Sequence, residues 1–421
     1  MQSPHRWVIA GSVGAQTPAP HYESHALEYR TVDAVPDATT TNSQGINARG
    51  DIVGSYPLAT KTRAFLSSIS AVLLMAAPAF AQGYTYIPID VRCDPAAASC
   101  PAGLAPGGVA RQTSARGINA RGDIVGSYND AANVQHGFLL QDGNFTTIDF
   151  PLVGVRATIA NGINPQGEIV GQYVAPINTD PTVPEDSPLY CPNGVDAACI
   201  KGFHYRRGHY STVLYPGHPG AIPQRITSDG DIYGCLHDHD TGMSMFGSAW
   251  TRVLGPKDSV HIQGTFSLAD NGGQLSDSMG VPMSMNNGAT PGGGQTTIGL
   301  FVDMGGVQHG YKVRNGMFEP YDPTPDTSLS ATWDINPSQQ FVGTYRKVGE
   351  PAAKRHGFLQ SADAPEAVNL DVSFKDPAGN MVTAFATVGF GINPAGVIVG
   401  QYALIAGGPL HGFMAVRTFG N

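Results

Sequence analysis

GINARGDIVGSY at Gly117–Tyr128, followed by HGF at His136–Phe138, decides the fold, because both elements recur along the chain in fixed order. The first returns as GINARGDIVGSY at Gly45–Tyr56, GINPQGEIVGQY at Gly162–Tyr173, ITSDGDIYGCL from Ile226, a faint copy around Met285–Phe301, DINPSQQFVGTY from Asp334 and GINPAGVIVGQY from Gly391. The second returns at Lys201-Gly202-Phe203, His309-Gly310-Tyr311, His356-Gly357-Phe358 and His411-Gly412-Phe413, with a degenerate copy near Phe246-Gly247. A short apolar segment ending near aspartate follows it, as in FTTIDFP, MFEPYDP and AVNLDV. Each unit therefore reads as four strands: one into Gly-Ile-Asn, one through Ile-Val-Gly-x-Tyr, one through His-Gly-Phe and one ending at the aspartate.

A four-stranded sheet cannot cover both of its faces alone. Units spaced roughly 45 to 63 residues apart and stacked face to face predict an all-β fold, a β-propeller of about six four-stranded blades. Six units run from Gly117 to the end, and the last stops before its fourth strand. Tyr84–Asp90, YTYIPID, has the fourth-strand pattern and is expected to complete that blade, latching the ends of a single domain over residues 82–421. The composition agrees: 53 Gly and 32 Pro with only 14% charged residues suit short strands and tight turns over long helices. A net charge of -9 with 24 Lys and Arg leaves no electrostatic footprint for a phosphate backbone and excludes nucleic acid as a partner.

Lys61–Gln82, KTRAFLSSISAVLLMAAPAFAQ, has a basic start, an apolar run and Ala79-Phe80-Ala81 before Gln82, the layout of a secretory signal peptide. Residues 58–81 are assigned to it, so the mature chain is expected to start at Gln82, to be secreted or periplasmic, and to carry no membrane-inserted segment. Residues 1–57 precede it with an orphan repeat fragment, including a competing fourth strand around Tyr29–Asp33. Initiation at Leu58 would give a normal signal n-region and leave that fragment as an extension of the gene model.

Export allows disulfides. Cys93 with Cys100, and Cys191 with Cys199, lie in Pro/Ala/Gly-rich stretches whose spacing is too long for a zinc knuckle, and are read as two loop-closing bridges. Cys235 is then a buried small hydrophobe.

Laid in register, most chemistry-bearing residues become scaffold. Asn119–Gly122 reads as a hairpin turn with Gly at positive φ and Asn tying the backbone. Gly126, Gly171, Gly343 and Gly400 are expected to admit a neighbouring blade or a bulge, with Tyr128, Tyr173, Tyr345 and Tyr402 covering the contact. The repeated histidines, and Asp33, Asp90, Asp149, Asp322 and Asp371, recur too often for one active site, and packing or hydrogen bonding is their expected role.

Suspicion falls on residues that break the repeat. In the third unit His237 and His239 alternate on an extended segment with Asp238 and Asp240 beside them, a partial site for a divalent transition metal. His204, Tyr205, Arg206, Arg207 and His209 put aromatic and basic groups around a hairpin that could meet anionic sugars or another protein. Insertions at Val174–Ala198 and Leu268–Thr296 decorate the units. No nucleophile elbow, P-loop, Rossmann fingerprint or zincin motif is present, so no catalytic set is named and no organic cofactor is called for.

The paired motifs and the strand that follows them resemble the HAF-repeat family of extracellular bacterial proteins over nearly all of residues 84–418, least in the third and fourth units. The resemblance implies export and a repeat fold, and brings no catalytic or binding residues with it. The preferred reading is a secreted, non-catalytic binding or surface-interaction module with a carbohydrate or protein ligand. The alternative is an extracellular carbohydrate-active enzyme, a glycosidase or polysaccharide lyase, on a propeller scaffold.

Overall fold

In the computed structural model the hairpin between the first two strands turns on an asparagine in four units, Asn119, Asn164, Asn336 and Asn393, and on Thr227 and Thr290 in the third and fourth. Asn119 Oδ1 accepts from the backbone N–H of Arg121 and Asp123 at 2.9 and 3.0 Å, and the Gly122 N–H closes the turn on the Asn119 carbonyl. Gly122, Gly167, Gly230 and Gly396 take φ between +78° and +90°, a region open to glycine, and in the fifth unit Gln339 is held there at +58°. The structure describes residues 42–46, 52–58, 61–66 and 83–418, apart from 186, 215–217, 238, 240–244, 251–283, 291–295, 304, 315–316, 363 and 377–378.

The chain divides into two compact units, Met1–Met75 and Ala76–Asn421. In the first, Asn42–Ile46, Ile52–Leu58 and Lys61–Leu66 form a three-stranded antiparallel meander. Lys61–Leu66, the basic start of the signal-like segment, is thus a strand; the apolar remainder at 67–82 lies outside the described residues. No helix among the described residues is long and apolar enough to cross a membrane.

The larger unit is all-β and propeller-like, a series of antiparallel meanders. Gln112–Ile118, Ile124–Asn129, Gln135–Gln141 and Asn144–Thr147 form the first. Ala157–Ile163, Ile169–Val174, Ile200–Arg206 and His209–Val213 form the second, with η1 at Ala197–Cys199 before its third strand. Gly220–Ile226, Ile232–His237 and Met245–Trp250 are the described strands of the third. Ser284–Ala289, Thr296–Val302, Gln308–Arg314 and Met317–Tyr321 make the fourth, a full sheet although its sequence copy is faint. Thr327–Ile335, Phe341–Lys347, His356–Gln360 and Val368–Asn369 make the fifth, and a small hairpin of Ser373–Lys375 and Met381–Thr383 follows. In the sixth, Ala386–Ile392, Ile398–Ala403 and His411–Arg417 are completed by Tyr84–Ile89, which pairs antiparallel with the last strand of the chain.

The core lies between successive sheets. Val125 and Ile148 of the first pack with Ile169 and Phe203 of the second, Val342 of the fifth with Ile392 and Phe413 of the sixth, and Val399 of the sixth with Ile118 and Phe138 of the first. A ladder of turn asparagines follows the same order: Asn119 Nδ2 donates to the Asn164 carbonyl, Asn164 to Thr227, Asn336 to Asn393, and Asn393 to Asn119 across 274 residues.

The strand glycines act differently from expectation, because the close approach is inside each sheet. A Cβ on Gly126 would stand 2.0 Å from the Ser114 carbonyl and 2.8 Å from the Phe138 ring; Gly171, Gly343 and Gly400 face the same carbonyl position and the aromatic rings of Phe203, Phe358 and Phe413. The ring of the Gly-Phe element therefore lies across the glycine, each ring fully buried and contributing about 1.5–3 kcal/mol. Three of the tyrosines instead face the repeated histidines: Tyr128 stacks on His136 at 5.2 Å, and Tyr345 and Tyr402 meet His356 and His411 at 5.0 and 5.3 Å, while Tyr173 stacks on Phe150 at 3.9 Å.

Cys93–Cys100 and Cys191–Cys199 are disulfide-bonded, and Cys235 is a buried free thiol.

Candidate functional site

In all six units the first strand carries a bulge at one register, next to the Gly-Ile-Asn element. The residue without a partner in the ladder is Arg116 in the first unit, Asn161 in the second, Gln224 in the third, Asn287 in the fourth, Trp333 in the fifth and Phe390 in the sixth. A bulge bends its strand and re-aims the extra side chain, which is why bulges gather at functional sites. The backbone distortion repeats here while the side chain differs between neighbours.

The residue after the bulge is glycine in four units. A Cβ on Gly117 would stand 3.0 Å from the Asn161 carbonyl, on Gly162 2.8 Å from the Gln224 carbonyl, and on Gly391 3.0 Å from the Arg116 carbonyl, so the bulges of adjacent sheets touch. The third and fifth units replace this glycine with Arg225 and Asp334. Arg225 Nη1 donates to the carbonyls of Asn161 and Gln224 at 2.9 and 2.7 Å, and Nη2 to those of Arg116, at 3.0 Å, and Phe390. Its Nε lies 3.3 Å from Asp334 Oδ1. One guanidinium thus binds bulge carbonyls of four units and the carboxylate of a fifth. Asp334 also accepts from the backbone N–H of Ile335 and Ile392 at 3.0 Å each. Burial pushes the Asp334 carboxyl up, opposed by Arg225 and these N–H groups, and burial lowers Arg225, opposed by Asp334.

Arg116 is placed differently. Its guanidinium carbon sits 5.0 Å from the centroid of the Phe390 ring, and Nη1 reaches Asn161 Oδ1 only at 3.5 Å. Burial, then the adjacent Arg225, lowers it to about 10, so it remains a cation at neutral pH. Trp333 meets the same Phe390 ring edge-on at 5.1 Å. Arg116 Nε and Trp333 Nε1 are covered from solvent and have no hydrogen-bond partner among the described residues.

A second constellation repeats. His136 Nδ1 lies 2.6 Å from Asp149, His309 Nδ1 2.9 Å from Asp322, His356 Nδ1 2.6 Å from Asp371 and His411 Nδ1 3.1 Å from Asp90. The histidine of the third strand thereby ties down the aspartate that ends the fourth, and the side-chain hydrogen bond raises His136, His356 and His411.

Of the residues singled out by sequence, His204 is buried, 3.3 Å from Glu168, whose other oxygen takes Arg206 Nε at 3.0 Å. Tyr205 packs with Tyr210 at 4.8 Å, and Arg207 and His209 stay exposed at the hairpin turn. His237 Nε2 is 2.9 Å from Cys235 Sγ, whereas His239 points to Asp196 and Glu185, each at 3.3 Å. The two histidines face different partners; Asp238 and Asp240 lie outside the described residues. No cluster of three or more metal-ligating side chains occurs among the described residues. Sequence reading missed the bulge register, although aligning the units shows Arg225 and Asp334 where the others have glycine.

No family model and no curated protein matches the chain. Among solved structures, the SapL1 lectin in complex with α-methyl fucoside is similar at 9% identity and a TM-score of 0.40, over 73% of this chain and 96% of that one. A prolyl endopeptidase aligns at 12% identity and 0.41, over 91% of this chain and 51% of that one, and a Trypanosoma rangeli sialidase mutant at 8% and 0.39, over 80% and 59%. At these values no residue role or activity transfers.

Proposed function

We propose that residues 82–421 form a closed six-bladed propeller of HAF-type repeats, latched by Tyr84–Ile89, that is secreted and acts as a non-catalytic binding module for a carbohydrate or protein ligand at the bulge register. Closure is supported by the pairing of Tyr84–Ile89 with His411–Arg417 and by the Asn393 to Asn119 hydrogen bond. The observation that carries the binding reading is the bulge itself, one backbone shape bearing arginine, amides, tryptophan and phenylalanine in turn. Glycoside hydrolysis characteristically uses two carboxyl groups flanking the scissile bond. Asp334, the carboxylate beside the bulges, is already engaged by Arg225 and two backbone N–H groups.

Glycan and peptide arrays probed with the full chain test this, with turnover assays on every ligand that binds. Binding without product, weakened at least tenfold in Phe390→Ala, is the expected result. Product release would favour the enzyme reading. Terminal sequencing of exported protein is expected to give Gln82 first; Met1–Tyr56 retained on it would overturn the assignment of residues 1–57 and 58–81.

A further inference from the structure

The two arginines at the bulge register have different hydrogen-bonding states. Both terminal nitrogens of Arg225 donate to backbone carbonyls and its Nε faces a carboxylate. Arg116 keeps one long contact to an amide oxygen; the Nε of both arginines is covered without a formed hydrogen bond, so the difference lies at the terminal nitrogens. A covered donor without an acceptor costs on the order of 1–3 kcal/mol, more for a charged group, so one that is retained calls for an explanation. A second covered donor, Trp333 Nε1, belongs to a ring packed on the same phenylalanine as Arg116. Charge gives the same indication: among the described residues Asp334 pairs with Arg225, and no ion pair is formed by Arg116, leaving one positive charge for a ligand to neutralise.

We propose that Arg116, with Trp333 and Phe390, is the recognition site for the carboxylate of an acidic sugar, a uronic acid unit presenting one negative charge beside hydroxyl groups. The guanidinium suits a carboxylate because its planar donors match the two oxygens, and Phe390 beneath it fixes the plane. The indole N–H requires an acceptor and takes a neutral one, such as the ring or hydroxyl oxygen of the same sugar. Half-buried Trp333 supplies apolar area for the C–H face of the ring, while the buried Phe390 packs against both the indole and the guanidinium and holds them in place. Arg225 is the scaffold cation and Arg116 the ligand cation. This inference rests on the binding-module reading and narrows its ligand.

Calorimetric titration of the full chain with trigalacturonate, free galacturonate, acetate and neutral galactotriose tests it. Trigalacturonate is expected to bind more tightly than galactotriose, with Arg116→Gln losing about 10- to 150-fold, the range for a hydrogen bond to a charged group, and Arg116→Lys losing less. Acetate binding as well as galacturonate would remove the sugar from the proposal. The change in tryptophan fluorescence on adding trigalacturonate is expected to vanish in Trp333→Phe, and circular dichroism confirms that each variant is folded. Equal binding of trigalacturonate and galactotriose, or unchanged affinity in Arg116→Gln, overturns the acid site and leaves the binding module standing. No binding of any of the four probes, or of any array ligand, overturns both.

Discussion

The His–Asp layer and the bulge layer follow opposite rules. In the first, four units set the same histidine against the same aspartate and an aromatic ring. In the second, all six units share one backbone distortion and neighbouring side chains differ. Repeated chemistry solves a problem that every unit has, holding the fourth strand onto the third. Repeated geometry with varied chemistry is what the proposed binding site requires. Arg225 belongs to both categories, since it breaks the repeat and yet spends both terminal nitrogens on backbone carbonyls, and it marks the point where the comparison can be broken.

The largest effect is expected from the scaffold. Removing residues 84–89 strips four buried side chains, Tyr84, Tyr86, Ile87 and Ile89, each worth about 1.5–3 kcal/mol, against a total stability on the order of 5–15 kcal/mol. The truncated chain is expected to lose its cooperative thermal transition by circular dichroism, and an unchanged melting temperature would break the proposed closure. Next comes Arg225→Met, which leaves Asp334 buried and unpaired at a cost of about 3–5 kcal/mol, read by urea unfolding. Adding Asp334→Asn should recover part of the loss; full stability in the single variant would return Arg225 to the ligand side of the comparison.

The smallest effect is a pH dependence contributed by the His–Asp layer. His136, His356 and His411 have raised folded values, so their contribution is present below the unfolded histidine value of about 6.5 and is lost as pH rises through the folded values. The melting temperature is therefore expected to fall by a few degrees between pH 6 and pH 9, with a flatter profile in His356→Gln. A steeper profile in that variant would remove histidine from the account.

Local chemistry made much of this legible in the sequence. Asn119–Gly122 names its own turn, two cysteine pairs name their loops, and YTYIPID declares a missing fourth strand because a period of about fifty residues has only one vacant place for it. The bulge cluster was hidden for a physical reason. Arg225 finds three of its four backbone acceptors at sequence separations of 64, 109 and 165 residues, so only alignment of the units, and no local pattern, marks it. His204 misled in the opposite way: its aromatic and basic neighbours suggested a surface, while the fold buries it against Glu168. The glycine of Ile-Val-Gly suggests a neighbouring blade or a bulge, since the ring that covers it sits one strand away, at Phe138, and strand order within the sheet decides that contact.

Pairing of the first and last strands also sets a clock. His411 reaches Asp90 across 321 residues, and a ribosome adding roughly 5–20 residues per second needs on the order of twenty seconds to a minute to cover that distance. Tyr84–Ile89 therefore waits through nearly the whole synthesis of the domain with its backbone edge unmatched, in a segment reading Tyr-Thr-Tyr-Ile-Pro-Ile. Whatever escorts this chain during that interval has one short strand to shield, and the last seven-residue strand to be made, His411–Arg417, is what relieves it.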